Sequence, residues 1–522
     1  MNKDISTELI KKLAGLKIKN PNRLNKVKRL FAIKHRIGMV SNADLLELYR
    51  KLVRTKKIVL NHDLEYLLTK RKVRTMSGVA PVAVLTKPYK CPGKCAFCPD
   101  EKEMPKSYLS NEPAVMRAIL SKFDPYAQVS ARIRALTDNG HNTDKIELII
   151  MGGTWSYFPK QYQNWFIKKC FDACNNKKSK NIEEAHKWNE KAKHRIVALT
   201  VETRPDYVDE DQIKYWRKLG ATKVELGIQI ADDTVLKKNK RGHGTKEIIN
   251  ATTLLRQAGF KIAYHLMPNL PGSTPAKELK TFKKLFSDKN YQPDFIKIYP
   301  TVVTKNSQLF KWWKKGEYKP YKEKTLFNLL LEMKLAVPEY VRIIRLIRDI
   351  PKESIEAGNK ITNLREALQT ELKNQGKRCL CIRCREAKDN ISGIDKAKLS
   401  IIKYQANDGT EQFLQYTNSN KKKLFAFLRL RLPDKNSKNF IPEIQDCAMI
   451  REIHTYGQLA PIHSKGNSIQ HHGFGTKLVV QAENIAKKSG YSKIAVISGV
   501  GVRGYYKKFG YKLIGTYMVK EI

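Results

Sequence analysis

Acidic residues are scarce in this 522-residue chain, which has 50 Asp and Glu against 99 Lys and Arg and a formal net charge of +49. An enzyme that acts only on small neutral metabolites has no use for that excess. The charge therefore favours a polyanionic partner, above all a nucleic acid, although a Lys-rich genome is the plainer alternative. With 41% hydrophobic residues, the chain is predicted to fold into about two to four domains and not to be disordered.

Long apolar runs are missing as well. No segment has the roughly 18 consecutive apolar residues of a transmembrane helix. The start of the chain, Met1–Asp4, is polar and lacks the apolar region of a signal peptide. We therefore expect no membrane partner and a cytoplasmic location.

Cysteines are few and unevenly placed. Six of the nine fall in two clusters, Cys91–Cys98 and Cys379–Cys384, and three cysteines in each cluster do not suit disulfide pairing. Without a signal peptide, this arrangement favours metal binding. The scattered Cys170, Cys174 and Cys447 are expected to be small buried hydrophobic residues.

The sequence pattern divides the chain into four parts. Residues 1–75 are helical in pattern and strongly basic, which predicts a phosphate-contacting surface, a solvated helix face being the alternative. Residues 76–350 alternate β-rich runs with amphipathic helices, which predicts a parallel sheet, either open or closed into a barrel. Residues 351–395 are predicted to be a polar connector, and residues 396–522 to contain strands of antiparallel style.

One strand of the last part has two different faces. Between Leu424 and Leu432, leucine and alanine alternate with phenylalanine and arginine, so that Arg429 and Arg431 share one side. This alternation predicts a half-exposed sheet with its arginines in solvent.

The first cysteine cluster has the form C-x3-C-x2-C, with Phe97 before the last cysteine. Thiolates this close can surround one soft metal centre, and three of them leave one iron of a [4Fe-4S] cluster open for a substrate or cofactor. The motif resembles the signature of radical S-adenosylmethionine (SAM) enzymes. A structural zinc site is the alternative.

Two later segments occur in the order typical of that superfamily. Gly152–Gly153 follow the strand that ends at Met151, where the superfamily's backbone meets the amino group of SAM, and glycine allows such close approach. Glu202–Asp206 ends the next strand, where charged residues of an α/β sheet tend to line the site.

A second signature lies near the C-terminus. The stretch Gln470–Thr476 fits Q-x-x-G-x-G and precedes a helical run, which would present backbone N–H groups to a pyrophosphate. The strand Lys493–Ile497 and the segment Tyr505–Tyr511 follow, and the whole resembles the coenzyme A site of GNAT acetyltransferases. Tyr506 fits either core packing or a phenol that positions or protonates a thioester.

Together the two modules resemble the catalytic subunit of Elongator, the tRNA uridine-34 acetyltransferase family, from about residue 70 to the C-terminus. The short gap between Cys91 and Cys95 is similar to that of archaeal or bacterial members, which implies a form that works without the other Elongator subunits. The blocks that carry the resemblance are Arg74–Val79, Met116–Ile119, Phe123–Tyr126, Met151–Thr154, Glu202–Tyr207, Cys381–Glu386 and Ile497–Arg503.

The resemblance implies an α/β chain with a partial (β/α) barrel of the radical SAM type, then a GNAT domain with a mixed sheet, behind a basic helical tRNA-binding segment. It implies that a 5′-deoxyadenosyl radical removes hydrogen from the methyl group of acetyl-CoA, and that the carbon radical adds to C5 of the wobble uridine. Hydrolysis of the thioester then leaves 5-carboxymethyluridine. The expected partners are tRNA and acetyl-CoA; the electron donor is unknown, and a homodimer stays open.

The resemblance also assigns residues to these ligands. Gly152 and Gly153 would contact SAM, while Lys145 and Tyr506 would be catalytic residues as well as acetyl-CoA contacts. From its sequence context alone, Lys145 is an ordinary surface lysine. The other acetyl-CoA contacts would be Glu452, Ile453, His454, Thr455, Phe474, Gly475 and Thr476.

Both cysteine clusters would hold metal. The ligands would be Cys91, Cys95 and Cys98 for the [4Fe-4S] cluster, and Cys379, Cys381 and Cys384 for the zinc loop that the family carries. Zinc needs a fourth ligand for tetrahedral coordination, and Cys447 and a histidine are candidates.

Two other functions compete with this interpretation. A protein lysine acetyltransferase with a structural iron–sulfur cluster is the first, but protein acetylation needs neither radical chemistry nor a basic surface. A basic nucleic-acid-binding scaffold with decayed sites is the second, and the intact cysteine and Q-x-x-G-x-G motifs argue against it.

The charge excess generates a prediction for solution. Affinity for tRNA should fall steeply as salt rises, because each phosphate contacted by Lys or Arg releases counterions. Binding titrations at several salt concentrations would measure the slope of log K against log salt. A flat line would contradict the electrostatic role of the basic residues.

Overall fold

A bundle of four helices begins the chain. Its helices are α1 (Lys3–Gly15), α2 (Pro21–Lys34), α3 (Asn42–Arg54) and α4 (His62–Leu68). The side chains of Asn20, Ser41 and Asn61 each cap a helix by accepting a backbone N–H. Buried residues such as Leu13 and Phe31 give the bundle its own apolar core. The computed structural model describes residues 3–16, 18, 20–69, 77–388, 392–435, 437–456 and 473–522.

Arg50 of α3 ties this bundle to the next domain. Its guanidinium donates to the carbonyl oxygens of Thr137 at 3.2 Å and Gly140 at 3.3 Å, and its Nε donates to Glu65 at 2.7 Å. Thr137 and Gly140 come shortly before the strand that begins at Lys145. The basic bundle therefore lies near the end at which that strand starts.

A parallel sheet forms the centre of the second domain. The strands of this part are β1 (Ala80–Leu85), β2 (Lys145–Met151), β3 (Arg195–Thr203), β4 (Lys223–Gln229), β5 (Lys261–Leu266), β6 (Phe295–Ile298), β7 (Val302–Val303), β8 (Arg342–Arg345) and β9 (Ala357–Gly358). The sheet order β1-β2-β3-β4-β5-β6-β8 has two open edges, and every pair is parallel. This arrangement confirms the predicted partial barrel, and all its strands end on the same side.

Helices lie between most of these strands and after the last of them. They are α5 (Pro113–Leu120), α6 (Pro125–Asp138), α7 (Lys160–Asn175), α8 (Ile182–Asn189), α9 (Glu210–Lys218), α10 (Asp233–Lys238), α11 (Thr245–Gln257), α12 (Pro275–Ser287), α13 (Gln308–Lys314), α14 (Glu323–Ala336), α15 (Leu364–Asn374) and α16 (Ile382–Arg385). Helix α15 buries Leu364, Leu368 and Leu372, spaced about one turn apart, in the same core as the barrel. The predicted connector thus contains a helix that packs against the barrel.

A mixed sheet forms the C-terminal domain, as the resemblance implies. Its strands are β10 (Lys398–Gln405), β11 (Gly409–Thr417), β12 (Leu424–Pro433), β13 (Cys447–Thr455), β14 (Lys493–Val496), β15 (Lys512–Ile514) and β16 (Tyr517–Glu521), with helices α17 (Phe474–Lys488) and α18 (Arg503–Lys507). The strand order is β10-β11-β12-β13-β14-β16-β15, and β13 and β14 are the parallel pair. The buried face of α17, with Leu478 and Ala482, shares a core with Leu428 and Ile450 of this sheet.

The arginine face of β12 is buried, so the prediction of a half-exposed sheet was wrong. Arg429 and Arg431 are each 1% exposed, because this face of the sheet packs against the barrel domain. Arg429 Nη1 lies 3.4 Å from Asp294 Oδ1, and Arg431 Nη1 lies 3.4 Å from Glu411 Oε1. The two arginines are therefore paired with carboxylates across the interface and within the sheet, and are not exposed to solvent as the alternation predicted.

Asp294 is the centre of this interface. Arg451 of β13 pairs with both Asp294 and Glu411, donating to Glu411 Oε2 at 2.8 Å. Burial alone would raise the pKa of Asp294, but the guanidinium groups of Arg451, Arg429 and Arg256 together hold it below its ordinary value. Arg256 comes from α11 in the barrel, so charges from both domains meet at one carboxylate.

No helix among the described residues combines the length and the apolar character needed to cross a bilayer.

Removing the central charge should weaken the interface. We expect Asp294→Asn to lower the free energy of unfolding by about 3–5 kcal/mol, because it leaves buried guanidinium groups without their partner. Urea denaturation would measure this loss. Asp211→Asn, at an exposed position of α9, is the matched control and should change stability by less than about 0.5 kcal/mol. Equal effects of the two variants would contradict a structural role for the buried pairs.

Candidate active site

The first three cysteines lie in the loop that follows β1, at the carboxyl end of the parallel strands. Cys91 Sγ is 3.6 Å from Thr154 Oγ1, in the loop after β2. Arg241 Nη1 donates to Cys95 Sγ at 2.9 Å, and Arg204 Nη1 is 3.8 Å from the same sulfur. Loops after neighbouring strands therefore converge on this motif, as expected where parallel strands end together.

The electrostatics of the loop favour thiolate. A hydrogen bond from Cys98 is the largest cause that lowers the pKa of the Cys95 thiol to about 5, and Arg241 and Arg204 lower it further against the effect of burial. The pKa of Cys98 is raised, because it donates to Cys95 and is buried. Thiolate is the form that binds iron, and guanidinium groups offset its charge. The donor set thus fits an iron–sulfur cluster.

The glycines after β2 lie beside this loop. Gly152 and Gly153 have φ values of +128° and +101°, which favour glycine. A Cβ added to Gly152 would collide with Thr86 Oγ1, so the loop after β2 packs tightly against the first residue after β1. Only glycine fits at this contact, whereas a Cβ added to Gly153 would have only the carbonyl oxygen of Lys106 within 4 Å.

A cavity of about 1590 Å³ lies at the opposite end of the strands. Its barrel wall consists of residues at or near strand starts, including Lys145, Arg195, Lys223 and Lys261. Its other wall comes from the C-terminal domain. Among the described residues that line it, 13 are Lys or Arg and four are Glu, so the cavity suits an anionic ligand.

The predicted acetyl-CoA contacts line the second wall. β14 ends at Val496, opposite Ile450, whereas β13 continues to Thr455, so the two strands part and Glu452–Thr455 face the cavity. A register shift between β12 and β13 lies at the start of this divergence. The gap exposes one edge of β13, where an extended ligand can meet backbone N–H and C=O groups.

The start of α17 completes this wall. Gly473, Gly475 and Thr476 line the cavity, and Gly473 has φ +70°. Phe474, which was also predicted to contact acetyl-CoA, packs its ring against Tyr416 and Phe425 and does not line the cavity. The helix has 15 residues, and its first N–H groups can hold an anion. Gln470, His471 and His472 of the motif lie outside the described residues.

Three titratable side chains occupy the cavity beside this gap. His454 Nε2 donates to the carbonyl oxygen of Ser77 at 2.5 Å, and burial lowers its pKa, so the ring is neutral. Burial raises the pKa of Tyr506, which therefore remains a protonated phenol at neutral pH. Burial lowers the pKa of Lys145, against a smaller opposite effect of Asp144. The predicted catalytic residues Lys145 and Tyr506 thus line the same cavity.

The two groups of predicted residues are separated along β2. Lys145 starts this strand, and Gly152 follows its last residue, Met151. At a rise of about 3.3 Å per residue, the ends of β2 lie about 20 Å apart. The cluster loop, which carries Cys91, Cys95 and Cys98, and the cavity wall formed by the C-terminal domain are therefore at opposite ends of the barrel.

A ladder of charged side chains links the two ends, and the sequence reasoning missed most of it. From the cavity upward, Lys223 Nζ donates to Glu147 at 2.7 Å and lies 3.7 Å from Glu225. Lys297 pairs with Glu225 and lies 3.1 Å from Glu202. The signal was the charged residues Glu147, Glu202, Glu225 and Lys297, which interrupt strands of a buried parallel sheet where continuous apolar runs are the rule.

Two other members complete the ladder. His265 Nε2 lies 2.8 Å from Glu225 Oε2, and Tyr108 donates to Glu202 at 3.1 Å. The ligand atoms of Glu202, Glu225 and His265 lie within 4.8 Å of one another, a spacing that could hold a metal ion. The ammonium group of Lys297 already pairs with the carboxylates of Glu202 and Glu225, so a lysine of the protein itself neutralises part of this acidic group.

The second cysteine cluster lies beside the cavity. The sulfur atoms of Cys379, Cys381 and Cys384 lie within 4.8 Å of one another, and hydrogen bonds from the other two lower the pKa of Cys381. This group could hold one metal ion. Cys447, a candidate for the fourth ligand, lies at the start of β13. Among the described residues, neither Cys447 nor a histidine belongs to this group.

Comparison with known proteins agrees with this geometry. The family model of the Radical SAM superfamily matches residues 86–285, and that of the Radical_SAM C-terminal domain matches residues 293–374. A solved structure, titled the archaeal Methanocaldococcus infernus Elp3 with N-terminus deletion (1-46), is 42% identical with a TM-score of 0.75. It covers 85% of this chain, and this chain covers all of it.

Curated relatives cover nearly the whole chain. The tRNA uridine(34) acetyltransferase of Methanocaldococcus infernus is 46% identical over 502 residues, which are 93% of this chain and 92% of that protein. Its namesake in Dehalococcoides mccartyi is 42% identical over 87% of this chain and 100% of its own length. Elongator complex protein 3 of Drosophila melanogaster is 36% identical over 99% of this chain and 95% of its own length. The chain therefore belongs to the radical SAM superfamily and, within it, to the family of the tRNA uridine(34) acetyltransferases and Elongator complex protein 3.

Proposed function

We propose that this protein is a tRNA uridine(34) acetyltransferase that forms 5-carboxymethyluridine at the wobble position from acetyl-CoA. The observation that carries the proposal is the cavity shared by the barrel and the C-terminal domain. It places the predicted acetyl-CoA contacts, which we call the acyl-CoA wall, against the end of the radical SAM barrel at which the strands begin. Its excess of basic side chains suits both coenzyme A phosphates and RNA. The basic helical bundle, attached near the same end through Arg50, would bind tRNA.

The cluster end would hold the radical cofactors. Cys91, Cys95 and Cys98 would ligate a [4Fe-4S] cluster, and the backbone of Gly152 and Gly153 would meet SAM. When bound, this pair supplies the carbon-centred radical that the superfamily uses. Arg204 and Arg241 offset the charge of the thiolates from inside the barrel, and Arg204 is itself held by Asp206, to which it donates at 2.7 Å.

The C-terminal domain would hold acetyl-CoA. N–H groups at the start of α17, at Gly475 and Thr476, would donate to the pyrophosphate. The extended edge of β13, from Glu452 to Thr455, would align the pantetheine arm as a strand aligns its neighbour. Because Tyr506 keeps its proton, its phenol would donate a hydrogen bond at the thioester end of the ligand and steer the thioester toward the barrel.

Lys145 would work from the barrel wall of the same cavity. It starts β2, opposite the acyl-CoA wall, where an ammonium can contact an anionic or carbonyl group of the ligand. It is half-buried, so ligand contact costs it less loss of water than it would cost an exposed lysine. Cys379, Cys381 and Cys384 would bind zinc beside the cavity and so fix the segment that joins the domains.

Nucleoside analysis tests the reaction. We expect that tRNA incubated anaerobically with the protein, reductant, SAM and labelled acetyl-CoA yields labelled 5-carboxymethyluridine by mass spectrometry. Cys95→Ala should abolish both this product and 5′-deoxyadenosine, because one ligand of the cluster is lost. Label on protein lysine with none on uridine would contradict the proposal.

Acetyl-CoA binding can be tested at one backbone position. A Cβ added to Gly475 would stand 2.8 Å from Tyr505 Oη, so the Tyr505 side chain or the start of α17, both of which line the cavity, must shift. We expect Gly475→Ala to weaken acetyl-CoA binding about tenfold, or ~1.4 kcal/mol, in calorimetric titrations. Gly38→Ala is the control, because nothing lies within 4 Å of the added carbon there. Unchanged affinity in Gly475→Ala would place the acyl-CoA site elsewhere.

A further inference from the structure

We propose that the outer face of the cluster loop is the docking surface for the electron donor, a small acidic protein that carries a low-potential one-electron centre. We define this cluster-side patch as Lys87, Tyr89, Lys90, Lys94, Tyr157 and Lys240. The inference goes beyond the proposed function and rests on it only in requiring the cluster at Cys91, Cys95 and Cys98.

Charge of one sign dominates the patch. Residues 87–98 contain three lysines, all exposed, and no acidic residue. Lys240 is exposed on the far side of the loop, where the preceding Asn239 accepts a hydrogen bond from the backbone N–H of Ala96 at 3.1 Å. The next acid along the chain, Asp100, already pairs with Lys106. A partner with an acidic face is therefore attracted and oriented.

Aromatic rings lie within this basic surface. Tyr89 stacks on Phe158 with centroids 4.6 Å apart, and Phe158 stacks on Tyr162 at 4.8 Å. Tyr89 and Tyr157 are each 39% exposed, and their centroids are 6.2 Å apart. Rings held rigid by a buried stack can contact a partner with little loss of conformational entropy. Such aromatic positions within a charged rim are typical of protein interfaces.

The patch lies next to the predicted cluster ligands along the chain. Tyr89 and Lys90 directly precede Cys91, and Lys94 precedes Cys95. Cys95 is 8% exposed, and the arginines Arg204 and Arg241 cover it from within the barrel. Because electron transfer slows steeply with distance, a donor must dock on this loop and not on the far side of the barrel.

Position separates this surface from the RNA site. The acyl-CoA cavity and the basic helical bundle lie at the start of the parallel strands, about 20 Å of strand from the cluster loop. A uridine that must meet acetyl-CoA enters from that end. The patch therefore stays free during tRNA binding, which allows the cluster to be reduced while the substrate is bound.

The redox step is the transfer of one electron. One electron leaves the reduced carrier and reduces the cluster, and the carrier is oxidised by one electron. No covalent bond forms or breaks, and the patch moves no proton. Its lysines and rings only hold the carrier in position, and a weak, small interface of this kind suits a donor that must leave after each encounter.

A matched pair of triple variants tests the surface in the full-length protein. Lys87→Gln/Lys90→Gln/Lys94→Gln removes three charges from the patch, and Lys487→Gln/Lys488→Gln/Lys493→Gln removes three exposed charges from the C-terminal domain. The probe is a purified flavodoxin, and its binding is measured by calorimetry at two salt concentrations. We expect the patch variant to bind on the order of tenfold more weakly, and the control to bind like the wild type.

Cluster reduction gives a second readout. Stopped-flow absorbance should show slower reduction of the patch variant by reduced flavodoxin, with unchanged reduction by dithionite and unchanged iron content. Dithionite-driven product formation separates this inference from the proposed function, since it needs no docking surface. Equal losses in both triple variants, or none in either, would overturn the docking surface.

Two further results decide between partners and guard against misfolding. If the patch variant loses tRNA affinity and keeps flavodoxin affinity, the patch is an RNA surface and the inference is wrong. Carbodiimide cross-linking of wild-type protein to flavodoxin, mapped by mass spectrometry, avoids substitutions altogether. Cross-links at Lys87, Lys90, Lys94 or Lys240 support the docking surface, and cross-links confined to lysines outside the patch overturn it.

Discussion

Two buried carboxylates fix the two catalytic domains against each other. Asp294 of the barrel and Glu411 of the C-terminal sheet are shared among Arg256, Arg429 and Arg451, all of them almost fully buried. A buried charge that loses its partner costs several kcal/mol, so few other arrangements of the two sheets are tolerated. The cavity between the domains is a consequence, because its two walls cannot slide past each other.

The direction of the parallel strands then divides the chemistry. Loops after the strands gather Cys91, Cys95 and the glycines at one end, while strand starts such as Lys145 meet the cavity wall of the C-terminal domain at the other. The interior between them is not an ordinary apolar core, because Glu147, Lys223, Glu225, Lys297 and Glu202 form paired charges along it. A polar interior of this kind can accept a polar substrate without leaving its own charges unpaired.

The cluster loop shows how one short segment can face two environments. Inside the barrel, Arg204 and Arg241 contact Cys95 and favour its thiolate. Outside, the lysines and Tyr89 face solvent. Guanidinium groups suit the buried side because they are weakly hydrated and donate in fixed directions, whereas lysine suits the exposed side because its ammonium group is strongly hydrated.

The sequence by itself determined the modules and their local motifs. Cys91-x3-Cys95-x2-Cys98, the Gly152–Gly153 pair and the Gly473–Gly475 loop are short, and their chemistry depends on spacing along the chain. The alternation of strand and helix predicted a parallel sheet, because the direction of chain return is a local property. Only the tertiary structure decided that Arg429 and Arg431 are buried, that Lys145 and Tyr506 share a cavity, and that this cavity lies opposite the cluster. Asp294 and Arg451 are 157 residues apart, and no periodicity in the sequence records that two such distant charges will meet when the sheets pack.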